Sequence, residues 1–339
     1  MLAVATMLSL ALAGDPPKPV APTRPVESLA GRPGVTGEVL LHRDMRSSAG
    51  DGLLPRHVSV WLPPGYALPE NASRRYPVLY MHDGQNAFDP ATAFLGREWH
   101  ADEVATEAIR RGAMPPVIIV GIWNTPERVS DYTPDQDLEE KRGDNKPQGR
   151  GGKGERYLRW IVEELKPFID SNYRTQPGRE TTAIMGSSLG GIISLAAAER
   201  NPEVFGCVAA VSPSLWWNKG SVIERWQKRT PDVCRLWVDM GDRERAGLTD
   251  ALKRFEAAAQ PTCRSRLHAE IVPGGRHDEP SWSARLGRIL MYLFAESDWQ
   301  RVQPPEPVPP PQEAPKAEPP PPDATGAAGA GPAPKSPPA

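Results

Sequence analysis

Residues 181–200 read TTAIMGSSLGGIISLAAAER, and their reading decides the fold. Ala183, Ile184 and Met185 make a short apolar strand, and the alanine-rich run that follows makes a helix. Between them stands G-x-S-x-G, with Ser188 between Gly186 and Gly190. A strand that turns this sharply into a helix holds its apex residue in a strained backbone conformation with the side chain pointing out. Side chains two before and two after the apex are expected to collide with the turn, which accounts for both glycines. Ser188 then heads a helix, where free amides and the dipole favour developing negative charge. Ser187, one residue off the apex, is the weaker candidate nucleophile.

Outward from this turn the chain alternates strands and helices. Residues 37–46 (GEVLLHRDMR) and 56–62 (RHVSVWL) alternate well enough for two strands. Residues 76–81 (YPVLYM) and 117–122 (VIIVGI) are continuous apolar runs, as expected of strands buried on both faces. Further strands are predicted at 208–211, 235–240 and 267–272. Helices are predicted at 98–112, 155–173, 248–259 and 282–294. Residues 134–154 are polar and rich in glycine and lysine, a surface excursion suited to a lid. The pattern predicts an α/β fold whose central sheet is mostly parallel, with an antiparallel start and helices on both faces. In such sheets ligands bind beyond the carboxyl ends of the strands.

The ends of the 339-residue chain look non-globular. Residues 1–13 (MLAVATMLSLALA) resemble a secretory signal closing on Ala11-Leu12-Ala13, although the usual basic start is missing. The run is too short to span a bilayer. Residues 14–36 read as a proline-rich linker, 37–299 as one catalytic domain, and 300–339 as an extended tail. Fifteen of the forty prolines lie from Gln303 onward, with almost no apolar bulk to offset the cost of ordering. A net charge of −2 gives no reason to expect nucleic acid or an anionic membrane as partner. Three cysteines make no disulfide scaffold. Cys234 and Cys263 each precede a predicted strand, however, and a bond between them would add about 3–4 kcal/mol by the chain-entropy argument.

A serine hydroxyl needs a base to take its proton and an anion to orient that base. His268 and His277 are the two histidines after Ser188. His268 falls early in a strand, at the wrong end of the sheet. His277, in Pro273-Gly274-Gly275-Arg276-His277, falls past that strand's carboxyl end and is the candidate base. The acid is expected after residue 240, in Gly241-Asp242-Arg243-Glu244. Glu244 is preferred to Asp242 because it lies further into the loop, and Asp239 is a distant third. Oxyanion donors are expected from the Leu189 amide and from the loop His82-Asp83-Gly84-Gln85, through the Gln85 amide. His82 is expected to brace that loop. Trp123, Asn124, Arg128, Tyr132, Trp216 and Trp217 fall at strand exits, where clustered aromatics suit an aromatic or sugar-bearing ester.

Four segments together carry a family resemblance: Tyr76 to Asn86 (YPVLYMHDGQN), GSSLGG at 186–191, SPSLWW at 212–217, and GGRH at 274–277 with Trp282. Over about residues 38–296 the chain resembles the Putative esterase family of α/β-hydrolases. That family includes feruloyl and acetylxylan esterases, siderophore esterases, S-formylglutathione hydrolases and mycolyltransferases. The resemblance implies a serine hydrolase without metal or cofactor, acting on a small-molecule or glycan-linked ester. It places the nucleophile on Ser188 and the base on His277. Its feruloyl-esterase pattern points to Glu244 as the acid, although Asp is usual there. An acyltransferase using the same residues, or a carbohydrate- or envelope-binding protein that kept only the fold, are the alternatives.

Overall fold

The computed structural model describes residues 26–137 and 150–295. The predicted signal, the tail and the middle of the polar excursion lie outside these residues. The strands are β1 (Glu27–Ser28), β2 (Glu38–Met45), β3 (Arg56–Leu62), β4 (Val78–His82), β5 (Ile118–Ile122), β6 (Gln136–Asp137), β7 (Arg150–Gly151), β8 (Thr182–Ser187), β9 (Cys207–Val211), β10 (Arg235–Gly241) and β11 (Leu267–Val272). Nine of them form one sheet in the order β1-β2-β3-β5-β4-β8-β9-β10-β11, and β6 pairs with β7 alone. From β5 to β11 every pairing is parallel, while β1, β2 and β3 enter antiparallel. The helices are α1 (Ala101–Arg110), α2 (Arg128–Asp131), α3 (Gly154–Trp160), α4 (Lys166–Asn172), α5 (Leu189–Arg200), α6 (Ser221–Lys228), α7 (Leu248–Cys263), α8 (Glu279–Ser283) and α9 (Leu286–Leu293).

Both faces of the sheet are covered, and the period-two alternation of the strands sorts the core. Val78, Tyr80, Val120, Ile184 and Ala210 face the layer containing α3 to α7. Leu79, Met81, Ile119, Ala183 and Ala209 face the layer containing α1, α8 and α9. This is why the central strands read as continuous apolar runs. Burying both faces is also what fixes their register, since a slip of one residue would exchange the two layers.

Several sequence expectations need correction. Residues 27–36 are not linker: β1 pairs with β2, Leu29 is 2% exposed, and the Thr36 amide donates to Asp102 Oδ2 at 2.6 Å. Two paired residues are too few to carry an alternation signal. The helix expected at 155–173 contains a π segment, Ile161–Leu165, between α3 and α4. Pro167 follows it and has no amide to return to the preceding turn, so the helix widens where a bond is missing anyway. The helix expected at 282–294 is broken into α8 and α9. Helix α6, which the sequence reading passed over, packs Val222, Ile223 and Trp226 into the core. Cys234 and Cys263 do sit before neighbouring parallel strands, but Cys207, Cys234 and Cys263 are all free thiols. Among the described residues no helix is long and apolar enough to cross a membrane.

Candidate active site

At the end of β8 the chain turns into α5 through Ser188, whose φ of 56° and ψ of −118° lie in a region L-residues avoid. The Ser188 amide is held by Val211 O at 3.0 Å, and the carbonyl accepts from the Gly191 and Ser214 amides. The glycines work differently from the simple expectation. A Cβ on Gly186 would lie 2.9 Å from the Gly190 backbone, so Gly186 is obligatory. One on Gly190 would meet nothing closer than His82 Cβ at 3.4 Å, an ordinary contact, whereas one on Gly191 would strike Pro213 at 2.9 Å. Leu189 is the first residue of α5, where amides have no intrahelical acceptor.

The other polar groups arrive from the carboxyl ends of β10 and β11. A Cβ on Gly241 would lie 2.3 Å from Gly275 O, so two glycines let the loops after β10 and β11 touch backbone to backbone. Asp242 fastens that contact: its amide donates to Val272 O at 3.1 Å and its Oδ1 accepts from the Gly274 amide at 2.7 Å. Its carboxylate is therefore committed to the loop. Glu244 turns back under the loops instead, and its Oε2 lies 2.7 Å from His277 Nδ1. His277 Nε2 lies 2.9 Å from Ser188 Oγ. The structure thus brings Ser188, His277 and Glu244 together and leaves Asp242 out.

Glu244 Oε1 accepts from the Gly241 amide at 2.8 Å and from Ser212 Oγ at 2.6 Å. Burial works against its charge, but the hydrogen bonds from His277, Ser212 and Gly241 win, holding the carboxyl below its usual range. An ionised carboxylate only accepts, so the neutral imidazole carries its proton on Nδ1 and leaves Nε2 open toward Ser188. Behind this lies a buried ion pair that sequence reasoning missed. Arg285 donates to Asp239 Oδ1 at 2.9 Å and Oδ2 at 3.0 Å, and to Ser212 Oγ at 2.7 Å. Ser212, at a φ of 43°, is thereby oriented to give its proton to Glu244. Asp239, the third acid candidate, serves in this pair and makes no bond to His277. Trp282 packs edge-on against the His277 ring at 5.0 Å. Ser214 Oγ lies 3.2 Å from Ser188 Oγ. His268 is elsewhere, stacked on Trp237 at 3.9 Å.

The loop after β4 is equally fixed. A Cβ on Gly84 would come within 2.1 Å of the Gly121 backbone. Gln85 is clamped at both its carbonyl, by Thr92 Oγ1 at 2.7 Å, and its side-chain Oε1, by the Asn124 amide at 3.1 Å. Asp83 holds Arg128 through two bonds of 2.8 Å and Asn124 Nδ2 at 2.7 Å. Burial opposes the Asp83 charge, yet Arg128 and Asn124 keep its carboxyl below the usual range. His82 braces the loop as expected, with Nδ1 2.8 Å from the Tyr157 hydroxyl, and burial depresses its pKa to about 3.

The six pocket candidates divide. Trp216 is 44% exposed, and Trp123, Asn124 and Arg128 are half-buried. Tyr132 is 0% exposed, its hydroxyl accepting from the Asp83 amide at 3.0 Å. Trp217 is 3% exposed and donates through Nε1 to Asp135 O at 2.8 Å. Those two hold loops from beneath; they do not line a pocket.

The strand order, the strained serine at the strand-to-helix turn and the ring it faces define an α/β-hydrolase. The family model described as "Putative esterase" matches residues 54–293, and the chain belongs to that family; by family it is a carboxylic ester hydrolase. The chain is 32% identical over 222 residues to the siderophore enterobactin esterase of Emericella nidulans, covering 58% of this chain and 71% of that protein. It is 31% identical over 159 residues to the ferri-bacillibactin esterase BesA of Bacillus subtilis, covering 44% of this chain and 52% of that one. Among solved structures, the BES protein from Bacillus cereus superposes with a TM-score of 0.60 at 22% identity, over 77% of this chain and 98% of that chain. The enterobactin esterase FES from Shigella flexneri does so at 0.58 and 20% identity, over 84% and 61%.

Proposed function

We propose that the chain is a serine carboxylic-ester hydrolase that works through an acyl-enzyme on Ser188. The observation that carries this is the unbroken line of contacts from Ser188 Oγ to His277 Nε2 at 2.9 Å and from His277 Nδ1 to Glu244 Oε2 at 2.7 Å. Ser188 Oγ attacks the ester carbonyl as His277 Nε2 takes its proton. Glu244 holds the ring in the receptive tautomer and offsets the imidazolium charge. The oxyanion is assigned to the Leu189 amide, at the head of α5, and to the Gln85 amide on its pinned loop. His277 returns its proton to the departing alkoxide. It then takes one from a water that attacks the acyl carbonyl and passes it to Ser188 Oγ as the acid departs, which restores the free enzyme.

For the substrate we propose an aromatic, siderophore or carbohydrate-linked ester. The names of the relatives support this, as does Trp216, whose exposed ring supplies a stacking face. Export belongs to the same proposal and rests on residues 1–13, outside the described part of the chain. A chromogenic panel from acetyl and butyryl to feruloyl and catechol-type esters, run on wild type and Ser188→Ala, tests the reading. Hydrolysis lost in the variant supports it, and a preference for aromatic acyl groups supports the substrate class. Equal rates for the two proteins remove the mechanism. Acyl transfer to a sugar in preference to water makes the protein an acyltransferase.

A further inference from the structure

Away from Ser188, the segment entering α1 holds a second polar cluster that the esterase reading leaves unused. Glu98, His100 and Glu103 each offer one donor atom, and the three atoms lie within 4.8 Å of one another. His100 Nδ1 lies 3.2 Å from Glu98 Oε1 and 3.9 Å from Glu103 Oε1. Donors around a tetrahedral zinc ion, with bonds near 2.0–2.1 Å, stand roughly 3.3 Å apart, so small side-chain adjustments close this set on an ion.

Two further observations point to a ligand. The Glu98 side chain is 3% exposed, and its Oε2 has no hydrogen-bond partner among the described residues. A buried carboxylate oxygen left unpaired is costly, and native proteins rarely leave one so. Glu98 and His100 also line a cavity of about 400 Å³ together with Gly96, Arg97, Pro280 and Ser283, which gives an ion a route in and room for water. The electrostatics agree. Burial, with Glu103 and Asp89 nearby, pushes the Glu98 carboxyl up to about 7, and burial with Glu103 pushes Asp102 up to about 8. A cation at a helix start runs against the helix dipole, and Arg97 lines the same cavity, but Glu98, Glu103, Asp89 and Asp102 gather here while Arg32 is engaged by Asp89 and Glu27.

We infer that Glu98, His100 and Glu103 form a binding site for one divalent transition-metal ion, with zinc as the first probe and water from the cavity completing its coordination. One imidazole and two carboxylates suit zinc or its neighbours better than magnesium or calcium, which take oxygen donors alone. The ion would fasten the segment around Trp99. That ring stacks on Trp282 at 6.1 Å, and its carbonyl accepts from Ser283 Oγ at 2.9 Å. Trp282 is the ring that packs against His277, so the site lies behind the α8 side of the active centre.

The test is calorimetric titration of the full chain, stripped with a chelator, using zinc chloride at pH 7.5, and it does not depend on esterase activity. One ion should bind per chain, and affinity should fall at least tenfold in both Glu98→Gln and His100→Asn. Glu270→Gln should leave it unchanged; that residue sits in a separate histidine–carboxylate pair, His268 Nε2 to Glu270 Oε2 at 2.8 Å. Thermal melts without metal establish that each variant folds. Absence of binding, binding indifferent to both substitutions, or preference for calcium or magnesium would each overturn the inference.

Discussion

Replacing Glu244 by glutamine tests whether this carboxylate orients His277. On Glu244, Oε1 receives two donors, the Gly241 amide and Ser212 Oγ, and Oε2 faces His277 Nδ1. A glutamine satisfies the two donors only by placing its oxygen on their side. Its amide nitrogen then points at Nδ1, which must accept, and the ring's proton moves to Nε2. In that tautomer Nε2 cannot take the Ser188 proton. The size, shape and packing of the side chain hardly change, so the fold should survive. Loss of the orienting acid in such triads costs about 10³–10⁴ in kcat, equivalent to roughly 4–5.5 kcal/mol in the barrier. The paired variant is Asp242→Asn. Its Oδ1 accepts from the Gly274 amide and makes no bond to His277, so a change of under about fivefold is expected. Initial rates on a chromogenic ester, with thermal melts as the control for folding, decide the matter. If Glu244→Gln stays within tenfold of wild type, or Asp242→Asn falls as far as Glu244→Gln should, the assignment of the acid fails.

Three further outcomes follow from the same geometry. Ser188→Gly should abolish hydrolysis while stabilising the protein. Relief of about 1–3 kcal/mol of strain at φ 56°, ψ −118°, less about 0.5–1 kcal/mol for the entropy of glycine, leaves up to about 2.5 kcal/mol, a rise in Tm of up to roughly 8 °C. Arg285→Met should cost about 3–5 kcal/mol in urea unfolding, because it leaves Asp239, at 0% exposure, as an uncompensated buried charge, and should lower kcat through Ser212 and Glu244. His82, depressed by burial to about 3, is neutral in the fold but takes a proton below about 6.5 once unfolded. Wild type should therefore lose stability as pH falls from about 6.5 toward 3, and His82→Gln should lose less over that window, as urea unfolding at pH 7 and pH 4.5 will measure.

The parts of the site that a sequence can carry are those set by local chain geometry. G-x-S-x-G between a strand and a helix marks a turn that few residue types tolerate, and Ser188 sits in it. His277 was legible because a residue just past a parallel strand must emerge at the carboxyl end of the sheet. The division between Glu244 and Asp242 was not, because it depends on Gly241 and Gly275 meeting across two loops separated by a whole helix. Tyr132 and Trp217 show the limit for aromatics: composition places a ring at a strand exit but does not say whether it faces solvent or props the loop from below. Arg285, Asp239 and Ser212 come from three separate elements, and no spacing in the chain announces their meeting. The start of the sheet was misread for a plainer reason, since β1 spans two residues and its pairing with β2 is long-range.

The central claim is that Ser188 becomes covalently acylated. Its most direct test is intact-mass analysis after brief exposure to an activated aryl ester or a fluorophosphonate, followed by peptide mapping. A single adduct on the peptide containing Ser188, absent in Ser188→Ala and slowed in His277→Ala, is the predicted result. An adduct at any other residue, or undiminished ester turnover in Ser188→Ala, would contradict the account.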